Sequence, residues 1–245
     1  MKFSSKDFSK NSQIFNEAQN AFESTEKRSI ENINVFVKRV YQLFAGSLLA
    51  GAVGAYVGMG FVQNMVSATG GLTFTYWGAV ILEFILLFGL FIAKNKTPLN
   101  LVLLFAFTFM TGFTLAPTIA FYIAANMGYV VGEAFLLTSV AFGGLTIFAM
   151  NTKRDFSTMG KMLFIGLIVL IVAGILNIFL HQPLLQLVIA SVGAILFSFF
   201  ILYDTQNIIR GNIDNEVTAA VALYLDFLNL FISLLEILGF LNREE

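Results

Sequence analysis

The sequence predicts an all-α, polytopic membrane protein with seven transmembrane helices. Three observations carry that prediction. Hydrophobic residues make up 58% of the 245-residue chain and charged residues only 12%, against about a quarter charged in soluble domains. From Val40 to Leu82 there is no charged residue, a run longer than one span, since a bilayer core takes about 20 helical residues. Beyond that run, apolar stretches of similar length alternate with short polar breaks.

Residues 1–37 differ from everything after them. They are rich in Lys, Ser, Asn and Glu and lack the apolar core and small-residue cleavage site of a signal peptide. They are expected to form a mobile cytoplasmic tail, with the membrane domain covering residues 38–245. Ile30, Ile33, Val37 and Val40 recur at helical spacing and suggest a short amphipathic lead-in.

Helix 1 is placed at about residues 40–62. Its Gly54 and Gly58 form a GxxxG that permits close helix approach, here within the monomer rather than across a dimer. Asn64, Ser67, Thr69 and paired glycines break the run, and helix 2 follows at about 72–93. Thr97-Pro98 reads as a helix start, with Pro in the first turn where its missing N–H costs nothing. Helix 3 spans about 98–122, with Pro117 inside it expected to kink or loosen the ladder. Residues 126–132 read as a loop. Helix 4 covers about 133–150 and helix 5 about 160–180. His181-Gln182-Pro183 makes a tight connection into helix 6, about 183–209. Helix 7 covers about 217–240.

Orientation follows from the basic residues. The tail holds Lys2, Lys6, Lys10, Lys27, Arg28, Lys38 and Arg39. Lys94, Lys96, Lys153, Arg154, Lys161 and Arg210 fall in loops on the same side, and only Arg243 falls on the other. The N-terminus is therefore expected in the cytoplasm and the C-terminus outside.

Composition also excludes function classes. The chain has no cysteine and one histidine, His181, which removes thiol chemistry and Cys-ligated zinc and leaves no histidine cluster for a metal. A net charge of −1 exerts no global pull toward nucleic acid. No Walker glycine loop, HExxH or GxSxG occurs, which disfavours an ATP-driven pump or a membrane protease. Neither an enzyme nor a bound cofactor is expected.

The chemistry lies in acidic residues within the spans: Glu83, Asp204, Asp226 and Glu236. A carboxylate at membrane depth is costly and marks function by default. Asp204 precedes Arg210 by six residues and Asp226 follows Thr218 by eight, which at ~1.5 Å per residue puts both roughly 9–12 Å in from the same edge. Helices 6 and 7 are antiparallel on a short loop, so the two acids are expected to meet. The plainer alternative is that each caps a helix end or bonds a neighbour. On helix 7, Asp226, Asn229, Ser233 and Glu236 share one face, either lining a narrow ion path or forming an interhelical seam. Lys94 has two readings, a snorkelling headgroup anchor or a cation reaching inward to Asp204 or Asp226.

The C-terminal third resembles the Bax inhibitor family in its bacterial branch. The stretches that carry the likeness are Ile201-Leu202-Tyr203-Asp204 and Ala222-Leu223-Tyr224-Leu225-Asp226-Phe227-Leu228-Asn229-Leu230-Phe231. Upstream, Ile81-Leu82-Glu83 with Lys94, and Thr111-Gly112-Phe113-Thr114-Leu115-Ala116-Pro117, also fit. The resemblance implies six helices wrapped around a central helix 7, and a pH-sensitive calcium leak of the bacterial inner membrane. It implies that Asp204 and Asp226 form a proton-sensing dyad. Lys94 stands where the family can carry a latching arginine; lysine keeps the charge but loses the bidentate fork. Glu83 matches a pore glutamate, while Glu236 stands where related sequences can carry a basic residue.

The mechanism expected is electrostatic. Two carboxylates in contact cannot both ionise cheaply, so the pair should titrate as a unit. Calcium favours several oxygen ligands, and Asp204, Asp226 and Glu83, with Asn229 and water, are the candidates for a weak, transient site along the path. A second expectation is regulatory: the family includes bacterial partners of a membrane-anchored AAA+ protease, for which residues 1–37 are the candidate handle.

Overall fold

The computed structural model describes the backbone of residues 5–242 and the side chains of residues 31–242. Arg243 and the side chains of Lys2, Lys6, Lys10, Lys27 and Arg28 lie outside the described residues. Helix α1 runs Ser5–Met59, α2 Phe74–Ala93, α3 Leu99–Ala124 and α4 Gly128–Asn151. Helix α5 covers Gly160–Leu180, α6 Pro183–Ile209 and α7 Glu216–Leu241. All seven are long and apolar enough to cross a bilayer, α1 over its Glu31–Met59 part.

Three helix starts differ from the sequence expectation. Helix α1 starts well before residue 40, because the Val37 and Val40 face continues the helix: Val40 is fully buried, and Phe36 and Val37 pack on the core. Helix α4 starts at Gly128 rather than 133. The chain reverses in one step at Asn126, whose φ is 60°, with Met127 N–H donating to the Tyr122 carbonyl at 2.8 Å. Gly128 and Gly132 then continue the helix instead of ending a loop. Pro98 caps α3 rather than occupying its first turn.

Helix α7 is the axis. Half of its most apolar stretch is buried, against 11% for α2 and for α5. Helices α1, α3, α4 and α6 pack directly on α7, whereas α2 leans on α3 and α5 on α6. Rings lock the centre: Phe44 of α1 stacks on Phe142 of α4 at 4.8 Å, and Phe227 of α7 meets both edge-on.

In lipid, helices associate through close packing and interhelical hydrogen bonds rather than hydrophobic burial. The α1–α3 contact shows what that demands. A Cβ on Gly54 would lie 1.9 Å from the Phe109 carbonyl oxygen, and one on Gly112 would lie 1.9 Å from that of Gly51. The glycines of α1 therefore serve a monomer contact. Helix α3 passes through Pro117 without ending. The carbonyl that Pro117 cannot serve, that of Phe113, is the one lying against Gly58.

Candidate functional site

The α6–α7 connection sets the site. Helix α6 ends at Arg210, Gly211 takes φ 71°, and Asn215 caps α7 by accepting from Thr218 N–H at 2.9 Å. This short antiparallel turn brings Asp204 and Asp226 to the same depth with their side chains within hydrogen-bonding reach of one another. Asp226 is 5% exposed, and its Oδ2 is buried without a donor. Both acids line a cavity of about 260 Å³ with Phe91, Leu167, Phe197, Phe200, Thr218, Val221, Ala222, Leu225 and Asn229. Among the described residues no other ionisable side chain lines it.

Three anchors that the sequence reading did not single out hold these acids in register. Tyr224 lies two residues before Asp226, on the opposite side of α7. Its hydroxyl donates to the Thr108 carbonyl at 3.1 Å and pairs with the Thr111 hydroxyl of α3, and it fills the space beside Gly51. Gln206 lies two residues after Asp204. It accepts from Phe156 N–H at 2.6 Å and donates to the Arg154 carbonyl at 2.8 Å, tying the α4–α5 loop to α6. Asn215 donates to the Lys94 carbonyl at 3.0 Å, tying the start of α7 to the end of α2.

The structure does not bring every predicted residue to this point. Lys94 is half-buried at the end of α2 and makes no ion pair among the described residues. It lines a separate cavity of about 610 Å³ with Arg39, Asp214 and Glu216, so the expected latch on Asp204 is not formed. Its carbonyl is held by Asn100 and Asn215, which fixes the backbone one turn beyond Phe91. Glu83 is likewise elsewhere: it accepts from the Thr114 hydroxyl of α3 at 2.8 Å. Among the described residues no group of three acidic or histidine side chains is placed to hold a metal ion. The expected calcium set of Asp204, Asp226 and Glu83 is therefore not assembled.

The polar face of α7 turns toward α6 along its length. Asn229 lines the dyad cavity and donates to its own helix at Leu225. Ser233 is buried against Gly193, where a Cβ would lie 2.7 Å from its Oγ. Glu236 lies within hydrogen-bonding reach of Gln186 and lines a second cavity of about 410 Å³ at the far end, with Pro117, Thr118 and Tyr122. The face is thus a seam with a chamber at each end, pinched at Ser233 and Gly193.

Outside the spans, the Ser157 hydroxyl and backbone N–H bond the Asp155 carboxylate, and Arg210 Nη1 reaches it at 2.5 Å. These contacts hold the Asp155 carboxyl below its ordinary range.

Comparison with known proteins fits this architecture. A sequence model of a family described as inhibitor of apoptosis-promoting Bax1 matches residues 33–243. An uncharacterized protein of Campylobacter jejuni is 52% identical over 227 residues, 90% of this chain and 94% of the relative. An uncharacterized membrane protein of Vibrio cholerae is 36% identical over 226 residues, 91% of this chain and 96% of the relative. Mouse protein lifeguard 4 is 41% identical over 160 residues, 65% of this chain and 66% of the relative.

Proposed function

The chain belongs to the Bax inhibitor family, and from that premise we propose that it is a pH-sensitive calcium leak of the bacterial inner membrane, governed by Asp204 and Asp226. The observation that carries the reading is the contact of these two acids, one from each of the last two spans, in a cavity that no basic side chain lines. Two charges about 4 Å apart repel by about 4 kcal/mol at an effective dielectric of about 20. That is enough to make one proton a shared property of α6 and α7. A change in its occupancy changes the force across the seam, which is the bistable element a switch needs.

The ion path follows the seam. A cation enters the chamber at Glu236 and passes the pinch at Ser233 and Gly193. It leaves through the chamber at Asn229 and the dyad. Calcium is cargo here, held weakly by few oxygens at a time. Glu83, held on α3 by Thr114, biases the path electrostatically from outside it. Lys94 lies one turn from Phe91, which lines the dyad cavity, and makes no ion pair among the described residues. The basic end of the bundle faces the cytoplasm.

The test is calcium flux in proteoliposomes across pH for the native chain, Asp204→Asn and Asp226→Asn. Each variant is expected to flatten the pH profile. A profile of native shape in both variants would refute the dyad. A second reading is favoured by one feature, the extension of α1 back to Ser5, well before its membrane-length part. It makes the chain a partner of a membrane AAA+ protease through residues 1–37. Capture of that protease by a flux-dead dyad variant, and its loss on removing the tail, would support it.

A further inference from the structure

The dyad cavity is not sealed from the side. The wall that faces outward has one residue from α2, Phe91, and one from α5, Leu167. Because α2 packs on α3 and α5 on α6, the start of α7 is left uncovered between them. Thr218, Ala222, Leu225 and Asn229 follow one another at helical spacing along that gap. All four are half-buried, although α7 is the most buried span. The flanking faces of α2 and α5 expose Phe88, Ile92, Phe164 and Ile168, which is the surface a span offers to lipid. Asp204 lies roughly 9 Å from the end of a helix that is long and apolar enough to cross a bilayer, so the window beside it is expected to open on hydrocarbon.

We infer that the window admits a ligand from the bilayer, and that the ligand is the ammonium head of a primary alkylamine, seated in the cavity against Asp204 and Asp226. The inference rests on the two acids acting as one proton-sharing site, but not on calcium passing them. Charge complementarity selects the occupant. The cavity offers a carboxyl pair and the Asn229 side-chain oxygen, whose amide nitrogen is already bonded to Leu225. Among the described residues no basic group answers them. A primary ammonium brings three donors to that set. The rings of Phe91, Phe197 and Phe200 line the remaining wall and favour a cation over a neutral head. A volume of about 260 Å³ holds the head and first methylenes, and the rest of the chain lies along the exposed apolar faces in lipid.

The experiment uses the full chain in nanodiscs of neutral lipid, with dodecylamine as probe and dodecanol as the uncharged control. Thermal stability and calcium flux are read in parallel. Dodecylamine is expected to raise the unfolding temperature in a saturable way, and dodecanol is not. Asp226→Asn, which removes charge, and Ala222→Phe, which fills the window and keeps both acids, should each weaken the amine by about tenfold or more. If Asp226→Asn does not fold, Ala222→Phe decides. An equal shift with dodecanol, or an amine shift unchanged in Ala222→Phe, overturns the inference. Loss of amine binding with a normal pH-dependent flux would sink this inference alone. Saturable, window-dependent amine binding with a flux indifferent to the dyad would support it and sink the leak.

Discussion

Replacing Gly112 by alanine should be the most damaging single methyl in the bundle. The added Cβ would lie 1.9 Å from the Gly51 carbonyl oxygen, 2.7 Å from its carbon and 2.9 Å from Ala55 N. All three are backbone atoms, so no rotamer change relieves the clash. Restoring contacts of about 3.5 Å requires α1 and α3 to part by roughly 1.5 Å. Overpacking of this kind costs about 1–3 kcal/mol, and the upper end applies where backbone meets backbone. The separation also pulls on the Tyr224 hydroxyl, which sits between Gly51 and the Thr108 carbonyl, and a lost hydrogen bond adds about 1 kcal/mol. The expected total is about 3–4 kcal/mol, measured by unfolding in mixed micelles against rising denaturing detergent. Gly143→Ala is the control: nothing lies within 4 Å of its added Cβ, and alanine in a helix interior should stabilise by about 0.5–1 kcal/mol. If the two substitutions fall within about 0.5 kcal/mol of each other, the α1–α3 seam is not as tight as argued and Tyr224 is not what sets the rotation of α7.

Three other outcomes follow from the same geometry. Gly193→Ala should cost about 1–2 kcal/mol by pushing on Ser233 Oγ. Adding Ser233→Ala should recover most of it, since the nearest remaining Ser233 atom, Cβ, is 3.8 Å away; failure of that rescue would place the pinch elsewhere. Gln206→Ala should leave Phe156 N–H and the Arg154 carbonyl without their partner, costing about 1–3 kcal/mol and raising hydrogen exchange at Phe156 in particular. The Asp155 carboxyl is depressed by Ser157 and Arg210, so its contribution is present above the unfolded value of about 3.9 and is lost only as pH falls through the lower folded value. Asp155→Asn should therefore leave the flux profile unchanged in shape above about pH 5. A changed profile near neutrality would move part of the sensing from the dyad to this loop.

The spans and the acid pair were legible because each follows from one-dimensional information. Apolar run length gives the spans, and equal spacing of Asp204 and Asp226 from a short turn gives their depth. Partners from distant segments were not legible. Periodicity marks Asp226, Asn229, Ser233 and Glu236 as one face but says nothing of what that face meets. Gly193, which receives Ser233, is indistinguishable in sequence from Gly174, which receives nothing within 4 Å. Lys94 failed as a latch for a related reason. Its side chain direction depends on where Asn100 and Asn215 hold its carbonyl, and those residues come from two other elements.

The same limit explains why seam and path were posed as alternatives. A polar stripe buried against a neighbour is a seam wherever side chains interlock and a path wherever they do not. Along α6–α7 interlocked and open stretches both occur. Ser233 fits a glycine with no room for a methyl, while Glu236 and the dyad each look into a chamber. In the leak proposed above, the point that must widen is the pinch at Ser233 and Gly193. Helix α7 is tied at Tyr224 to α3 and at Asn215 to the end of α2, and its broadest contact is the one facing α6. That is the side on which the two carboxylates meet. When both are ionised, a repulsion of a few kcal/mol between them acts across the contact that separates the two chambers.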